Sequence, residues 1–221
     1  MKQFYLISIF PEMFSSYLNT SILGRAQEKK HIDVKTINLK DFAPGKHRSV
    51  DDSPYGGGPG MVLKFLPIAE AVQFVKKKIG KSKKRKSRVI LFSTRGKKFD
   101  DKTAKRLSKY TDLIFICGRY EGVDERVAKQ IADEEISIGD FILSGGELPA
   151  MVLVDAISRK IPGVLGRESS LEEIKGSYPV YTKPEVISIH QKRKKEKTLS
   201  VPKVLVSGDH KKIAEWRKAH K

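Results

Sequence analysis

One stretch of this chain concentrates the residue types that a ligand pocket needs: Ser137-Ile138-Gly139-Asp140-Phe141-Ile142-Leu143-Ser144-Gly145-Gly146-Glu147-Leu148-Pro149. Gly145 and Gly146 permit positive φ and close backbone approach, so main-chain groups can meet a ligand directly. Ile138, Phe141, Ile142 and Leu143 are apolar and could hold a flat ring between them. The competing reading is a tight connection whose glycines serve only the turn. Cys117-Gly118-Arg119-Tyr120-Glu121-Gly122 is a second such segment, open to reading as a turn with an incidental ion pair. Cys117 reads as a small buried hydrophobe rather than a nucleophile, because no His or Asp is placed to activate it. Ser93-Thr94-Arg95-Gly96 is a third, weak alone. Tyr55-Gly56-Gly57-Gly58-Pro59-Gly60 has neither the Gly-Lys-Ser/Thr ending of a P-loop nor dinucleotide spacing, so neither mechanism applies.

The elements around these segments give them a common place. Apolar runs at Phe4–Ile9, Ile32–Ile37, Val89–Phe92, Leu113–Cys117 and Ile136–Ile138 read as strands. Stretches 12–30, 66–78, 100–109, 123–131 and 148–158 read as helices. Strands alternating with helices predict an α/β fold with a mostly parallel sheet. Each of the last three strands runs into one of the glycine-bearing segments. Ligands of open α/β sheets bind beyond the carboxyl ends of the strands, so the three predict one small-molecule pocket. Residues 40–60 form a connection long enough to be functional. Residues 160–182 read as irregular, and the remainder as short, basic and weakly helical.

Composition narrows the partner. The 221 residues carry 44 Lys+Arg against 26 Asp+Glu, a net charge of +18, and are 39% hydrophobic. That is enough for a core, and a surplus of this size attracts a polyanion. Nine of the thirteen residues from Lys76 to Arg88 are Lys or Arg, and a second cluster spans Lys192–Lys197. Both could be solvated loops, but both suit phosphate contacts. No apolar run approaches a membrane span and none at the start reads as a signal peptide, so a membrane role is disfavoured. A single cysteine excludes an internal disulfide and suits a reducing, cytoplasmic compartment. No Cys/His cluster has zinc spacing, and no metal site is expected.

Five segments in register carry a resemblance. They are His47 to Met61, Cys117 to Arg126, Ser137 to Met151, Ser158 to Gly166 and Tyr181 to Val186. Together they resemble the bacterial tRNA (guanine-N1)-methyltransferase family. The resemblance implies the SPOUT class: residues 1–166 as a catalytic domain tied in a deep trefoil knot, 167–180 as a linker, and 181–221 as a helical tRNA-binding domain. It also implies a homodimer with sites built across the interface, and methylation of N1 of the guanosine at tRNA position 37, 3′ of the anticodon. The methyl donor it implies is S-adenosylmethionine, with magnesium associated with activity. Carried over by position, the donor's contacts are Leu91, Phe92, Ser93, Thr94, Gly96, Gly118, Tyr120, Glu121, Ser137, Ile138, Gly139, Asp140, Phe141, Ile142, Leu143, Gly145, Gly146 and Pro149. Arg159 matches the family's catalytic arginine. Asp51 and Asp52 match an acidic pair facing the RNA from the partner subunit, and Tyr55, Arg159 and Lys183 are expected on the RNA.

The sequence departs from the family in two places. The family's general base is a linker aspartate followed by Ser-Phe, whereas 167–178 here contains no aspartate. Glu173 is the expected replacement, with Glu172 and Glu168 behind it, against a reading of all three as solvent-facing charges. Family members usually continue well past Trp216, so the C-terminal domain is expected to be shortened, with the two basic clusters compensating. Two other readings remain open: a non-catalytic RNA-binding protein of ribosome assembly, and a related knotted methyltransferase acting on ribosomal RNA.

Overall fold

In the computed structural model, which describes residues 1–80, 82, 84–165, 177–189 and 197–220, the apolar runs pair edge to edge. The first unit, Met1–Leu165, contains strands β1 (Lys2–Ser8), β2 (Ile32–Asn38), β3 (Asp51–Asp52), β4 (Val62–Leu63), β5 (Ser87–Lys98), β6 (Asp112–Ile116) and β7 (Glu134–Ser137). Its helices are α1 (Ser15–Leu18), α2 (Ser21–Glu28), α3 (Phe65–Ile79), α4 (Asp101–Leu107), α5 (Glu125–Gln130) and α6 (Glu147–Ser158). Five strands form one sheet in the order β2-β1-β6-β5-β7, every neighbouring pair parallel. The short β3 and β4 pair antiparallel by themselves.

The sheet is covered on both faces, which explains why β6, Asp-Leu-Ile-Phe-Ile, is buried at every position. Alternate side chains go to opposite layers. Phe4, Leu6, Leu113 and Phe115 join α2, α4 and α6 in one core, while Tyr5, Ile7, Ile114 and Ile116 join α3 and α5 in the other. α3 opens with Pro67 in its first turn and stops at Gly80, whose φ of +73° ends the helix cheaply.

Three local readings change. The helix expected over 12–30 is a 3-10 turn (Pro11–Phe14) followed by α1 and α2. The chain bends at Asn19-Thr20, where Gly24 packs so tightly that a Cβ would lie 2.6 Å from the Asn19 carbonyl oxygen. Gln27 Nε2 donates to the Leu18 carbonyl at 2.8 Å and so closes the end of α1. Ser93–Gly96 does not end its strand: Ile136 pairs with both Phe92 and Lys97, so the four residues loop out and β5 rejoins the same neighbour. The C-terminal region is not merely weakly helical.

The second unit, Gly166–Lys221, holds an antiparallel pair, β8 (Val186–Ile189) with β9 (Lys197–Ser200), then helices Lys203–Val206 and His210–Ala219. Trp216 stacks on His220 with ring centroids 4.1 Å apart and lies near Tyr181. Strand patterning in Val186–Ile189 is only four residues long, too short to register against the basic stretch that follows.

Candidate active site at the carboxyl edge of the sheet

A cavity of about 580 Å³ opens where β6 and β7 end beside the loop that interrupts β5 at residues 93–96. Sixteen of the expected contacts line it: Leu91, Phe92, Ser93, Thr94, Gly118, Tyr120, Glu121, Ser137, Ile138, Gly139, Phe141, Ile142, Leu143, Gly145, Gly146 and Pro149. Two do not. Gly96 turns its Cα onto β7, where a Cβ would fall 2.6 Å from the Ile136 nitrogen, so its role is packing. Asp140 points outward and pairs with Lys98. The walls also include Arg95, Arg119, Gly122, Val123, Glu125, Ala128, Glu135, Ile136 and Ser144. Of these, Arg95, Arg119, Gly122, Val123, Glu125 and Ser144 stood inside segments singled out from the sequence and Ile136 inside a predicted strand; Ala128 and Glu135 were not assigned to the site.

The loops are fastened to one another by backbone and by one buried ion pair. Gly146 N donates to the Gly118 carbonyl at 2.9 Å, and a Cβ on Gly146 would sit 2.7 Å from the Cys117 Cα. Arg119 and Gly145 form an isolated antiparallel bridge. Glu147, 1% exposed, accepts from Arg119 Nε at 2.9 Å and from Ser8 Oγ at 2.5 Å. The Arg119 guanidinium also lies 4.9 Å from the Phe10 ring centroid. Such a pair specifies register more than it stabilises, because both charges lose their water. Cys117 beneath it is buried, and desolvation, then the Glu147 charge, pushes its thiol well above its ordinary range. It is no nucleophile.

Tyr120 stands in the left-handed region, φ +60°, an uncommon conformation that a bulky residue holds only under constraint. The constraint comes from the long loop, which returns to the cavity wall. Glu121 N donates to the Met61 carbonyl at 3.0 Å, and Leu63 N to the Gly122 carbonyl at 3.0 Å. The Tyr120 phenol titrates high, first through burial, then through the charge and hydrogen bond of Asp51. Asp51 therefore reaches the rim of its own chain's cavity. Asp52 faces away, accepting from Ser53 N at 2.9 Å and pairing with Lys64 at 3.3 Å, which holds its carboxyl below the usual range. Tyr55 is fully exposed.

Arg159 does not line the cavity. It caps the far end of α6, whose twelve residues at about 1.5 Å each put it roughly 18 Å from the Glu147 end. Glu168, Glu172 and Glu173 lie outside the described residues, as do positions 192–196 of the second basic cluster. Lys183 is exposed in the second unit. Inside the cavity, Arg95 pairs with Glu125 at 2.6 Å, while Glu135 Oε2 is buried with no hydrogen-bond partner among the described residues. No group of three or more His, Cys, Asp or Glu among them could hold a metal ion.

A parallel sheet that gathers three glycine-bearing loops around a cavity within the 300–1,000 Å³ range of small-molecule sites defines an α/β protein with a ligand-sized pocket at the carboxyl edge of its sheet. A family model described as tRNA (Guanine-1)-methyltransferase TrmD matches residues 1–221. A tRNA (guanine-N(1)-)-methyltransferase of Carboxydothermus hydrogenoformans is 49% identical over 218 residues, covering 96% of this chain and 80% of the relative. One from Alkaliphilus oremlandii is 47% identical over 219 residues, 96% and 84% of the two chains. Among solved structures, the tRNA (m1G37) methyltransferase from Aquifex aeolicus superposes with a TM-score of 0.79 at 43% identity, covering 99% of this chain and 88% of that one. The chain belongs to the tRNA (guanine-1)-methyltransferase family.

Proposed function

We propose that this protein transfers a methyl group from S-adenosylmethionine to N1 of the guanosine at position 37 of tRNA, in the cytoplasm. The observation that carries the reading is the cavity itself, built from two strand ends and the loop that interrupts β5, in a chain matched to the family over its whole length. Its residues fit the donor. Ile138, Phe141, Ile142 and Leu143 offer apolar walls for an adenine, and the orphaned Glu135 oxygen awaits a donor group. Bound there, S-adenosylmethionine supplies a methyl on a positively charged sulfur.

Guanine N1 carries a proton at neutral pH, which has to leave before or as N1 attacks. Glu173 is proposed as the carboxylate that takes it, with Glu172 and Glu168 as alternatives. Arg159 is proposed to meet the negative charge that gathers on O6; a planar, permanently charged guanidinium suits that oxygen. Because Arg159 and the cavity are separated by the length of α6, the reading requires a second copy. The face for it is available: Leu148, Val152, Asp155 and Arg159 fall on one stripe of α6, and Leu148 and Val152 are 52% and 44% exposed. Asp51, Asp52, Tyr55 and Lys183 are assigned to the RNA. The same reading makes the chain a SPOUT protein with a trefoil knot. Magnesium has no described cluster to hold it, and no step is assigned to it.

Calorimetric titration with S-adenosylmethionine, followed by mass spectrometry of methylated tRNA nucleosides, tests the reading. Micromolar donor binding and 1-methylguanosine at position 37 are expected. Absence of donor binding, or methyl groups found only on ribosomal RNA, would overturn it.

A further inference from the structure

The edge of the sheet opposite the cavity has no part in the chemistry above. In a parallel sheet the helix that precedes each strand ends at the strand's amino edge, so α2, α3 and α4 all terminate there. Each ends in lysines: Lys29 and Lys30 after α2, Lys76, Lys77 and Lys78 in the last turn of α3, Lys105 and Lys109 at the end of α4. The turn leading into β5 adds Lys84 and Lys86. It is fastened to the turn before β6, with Lys86 N donating to Thr111 Oγ1 at 2.8 Å and Thr111 N to the Lys86 carbonyl at 2.9 Å. All nine lysines are exposed, and none forms an ion pair with another described residue.

The arginines of the same region are used differently. Arg85 binds the fully buried Asp112, and Arg88 and Arg106 share Glu134 at 3.1 and 2.7 Å. Asp133 accepts from Val89 N at 2.7 Å. Asp112, Asp133 and Glu134 are thus engaged by arginine or backbone, and the exposed Glu28 at the end of α2 offsets only one of the nine lysine charges. Helix dipoles do not absorb the rest. Three helix ends amount to about −1.5 charges, against nine ammonium groups. A charged edge of this density repels itself and is stable only with mobile counterions, which an RNA backbone displaces with a gain in entropy.

We propose that this amino edge is a second RNA-binding surface, gripping the phosphate backbone of an RNA helix other than the stem-loop whose guanosine enters the cavity. From Ser87 to Phe92 β5 runs about 17 Å, so the two surfaces lie at opposite ends of the sheet and face in different directions. Lysine rather than arginine suits sequence-independent phosphate contact, a point charge on a flexible stem. The inference rests on the tRNA reading only for the stem-loop used as the first ligand.

The test uses the full chain and a variant carrying Lys76→Gln, Lys77→Gln, Lys78→Gln, Lys84→Gln and Lys86→Gln, none of which touches the cavity. A 20-base-pair RNA duplex without the target loop is titrated into protein saturated with an anticodon stem-loop. The wild-type protein is expected to bind the duplex without releasing the stem-loop. The variant should bind it at least tenfold more weakly at 150 mM salt, with a log–log salt slope shallower by about 0.9 for each lost phosphate contact. Donor binding, which the cavity alone provides, should be unchanged in the variant. Competition between duplex and stem-loop, equal duplex affinity in the two proteins, or binding of anionic phospholipid vesicles in place of the duplex would each overturn the proposal. Loss of donor binding in the wild-type protein would instead count against the methyl-transfer reading.

Discussion

Lys2 begins β1 with its ammonium folded under α4, donating to the Leu107 carbonyl at 3.1 Å and to that of Tyr110. Burial pushes its pKa down to about 8, with the Asp112 charge acting the other way. The sign follows directly. Below pH 8 folded and unfolded chains both hold the proton, and the full cost of burying it is present. Between about 8 and 10.5 only the unfolded chain holds it, so stability rises with pH. Urea midpoints at pH 8 and 9.5 should show the wild-type protein gaining roughly 2 kcal/mol relative to Lys2→Met; parallel titrations of the two would refute this. Glu147 is the second residue to test. Glu147→Ala strands the Arg119 guanidinium and is expected to cost about 3–5 kcal/mol by urea unfolding, and Glu147→Gln clearly less. Neither behaviour was legible in the chain. Glu147 sat inside a recognised motif, but its partners Arg119 and Ser8 are 28 and 139 positions away. Nothing in the spacing tells a buried carboxylate from a solvated one. The polar wall residue Glu135 escaped for the same reason.

Elements were far easier to read than ion pairs, because burial on two faces leaves an unbroken apolar run, as in Leu113–Ile116. Glycine is similarly candid: Gly145 and Gly146 signalled close backbone approach, and the structure supplies the neighbour. That neighbour makes a prediction. Gly146→Ala drives a methyl into the Cys117 backbone and should destabilise by about 1–3 kcal/mol in a thermal melt. Gly118→Ala meets only a Val123 methyl at 3.4 Å and should melt within a degree or two of wild type. If both melt alike, the loops are not clamped as described. What the chain hid at this scale was the return of the long loop, since two-residue strands such as β3 and β4 carry no periodicity. The break at Asn19-Thr20 was hidden too, because apolar spacing continues through it.

At the scale of the molecule, methyl transfer is proposed to depend on association. The α6 stripe through Leu148 and Val152, with the exposed Met13 and Tyr17 on the preceding turn and α1, is proposed to meet its own copy. Tyr17 donates to Asp155 across it. Leu148→Asp with Val152→Asp should convert the sedimenting species to a monomer and reduce methyl transfer at least 100-fold. Donor affinity should change little, because the cavity is made within one chain. A monomer with full activity would dismiss the shared-site reading. Association of this kind is invisible in a single sequence, where Leu148 and Val152 look like any other core positions. Glu173→Gln belongs here as well: unchanged single-turnover methylation would show that proton removal falls to another group.

The Tyr120 phenol joins a wall of the donor cavity to Asp51, on the loop that the proposal turns toward RNA. A molecule that shifts this ring leaves the carboxylate without its partner, and a phosphate nearby then meets bare negative charge. Under the proposed function, this contact would couple the donor site to the RNA site. Whatever factor the donor imposes on RNA affinity, RNA must impose on the donor, and Tyr120→Phe should bring that shared factor close to one.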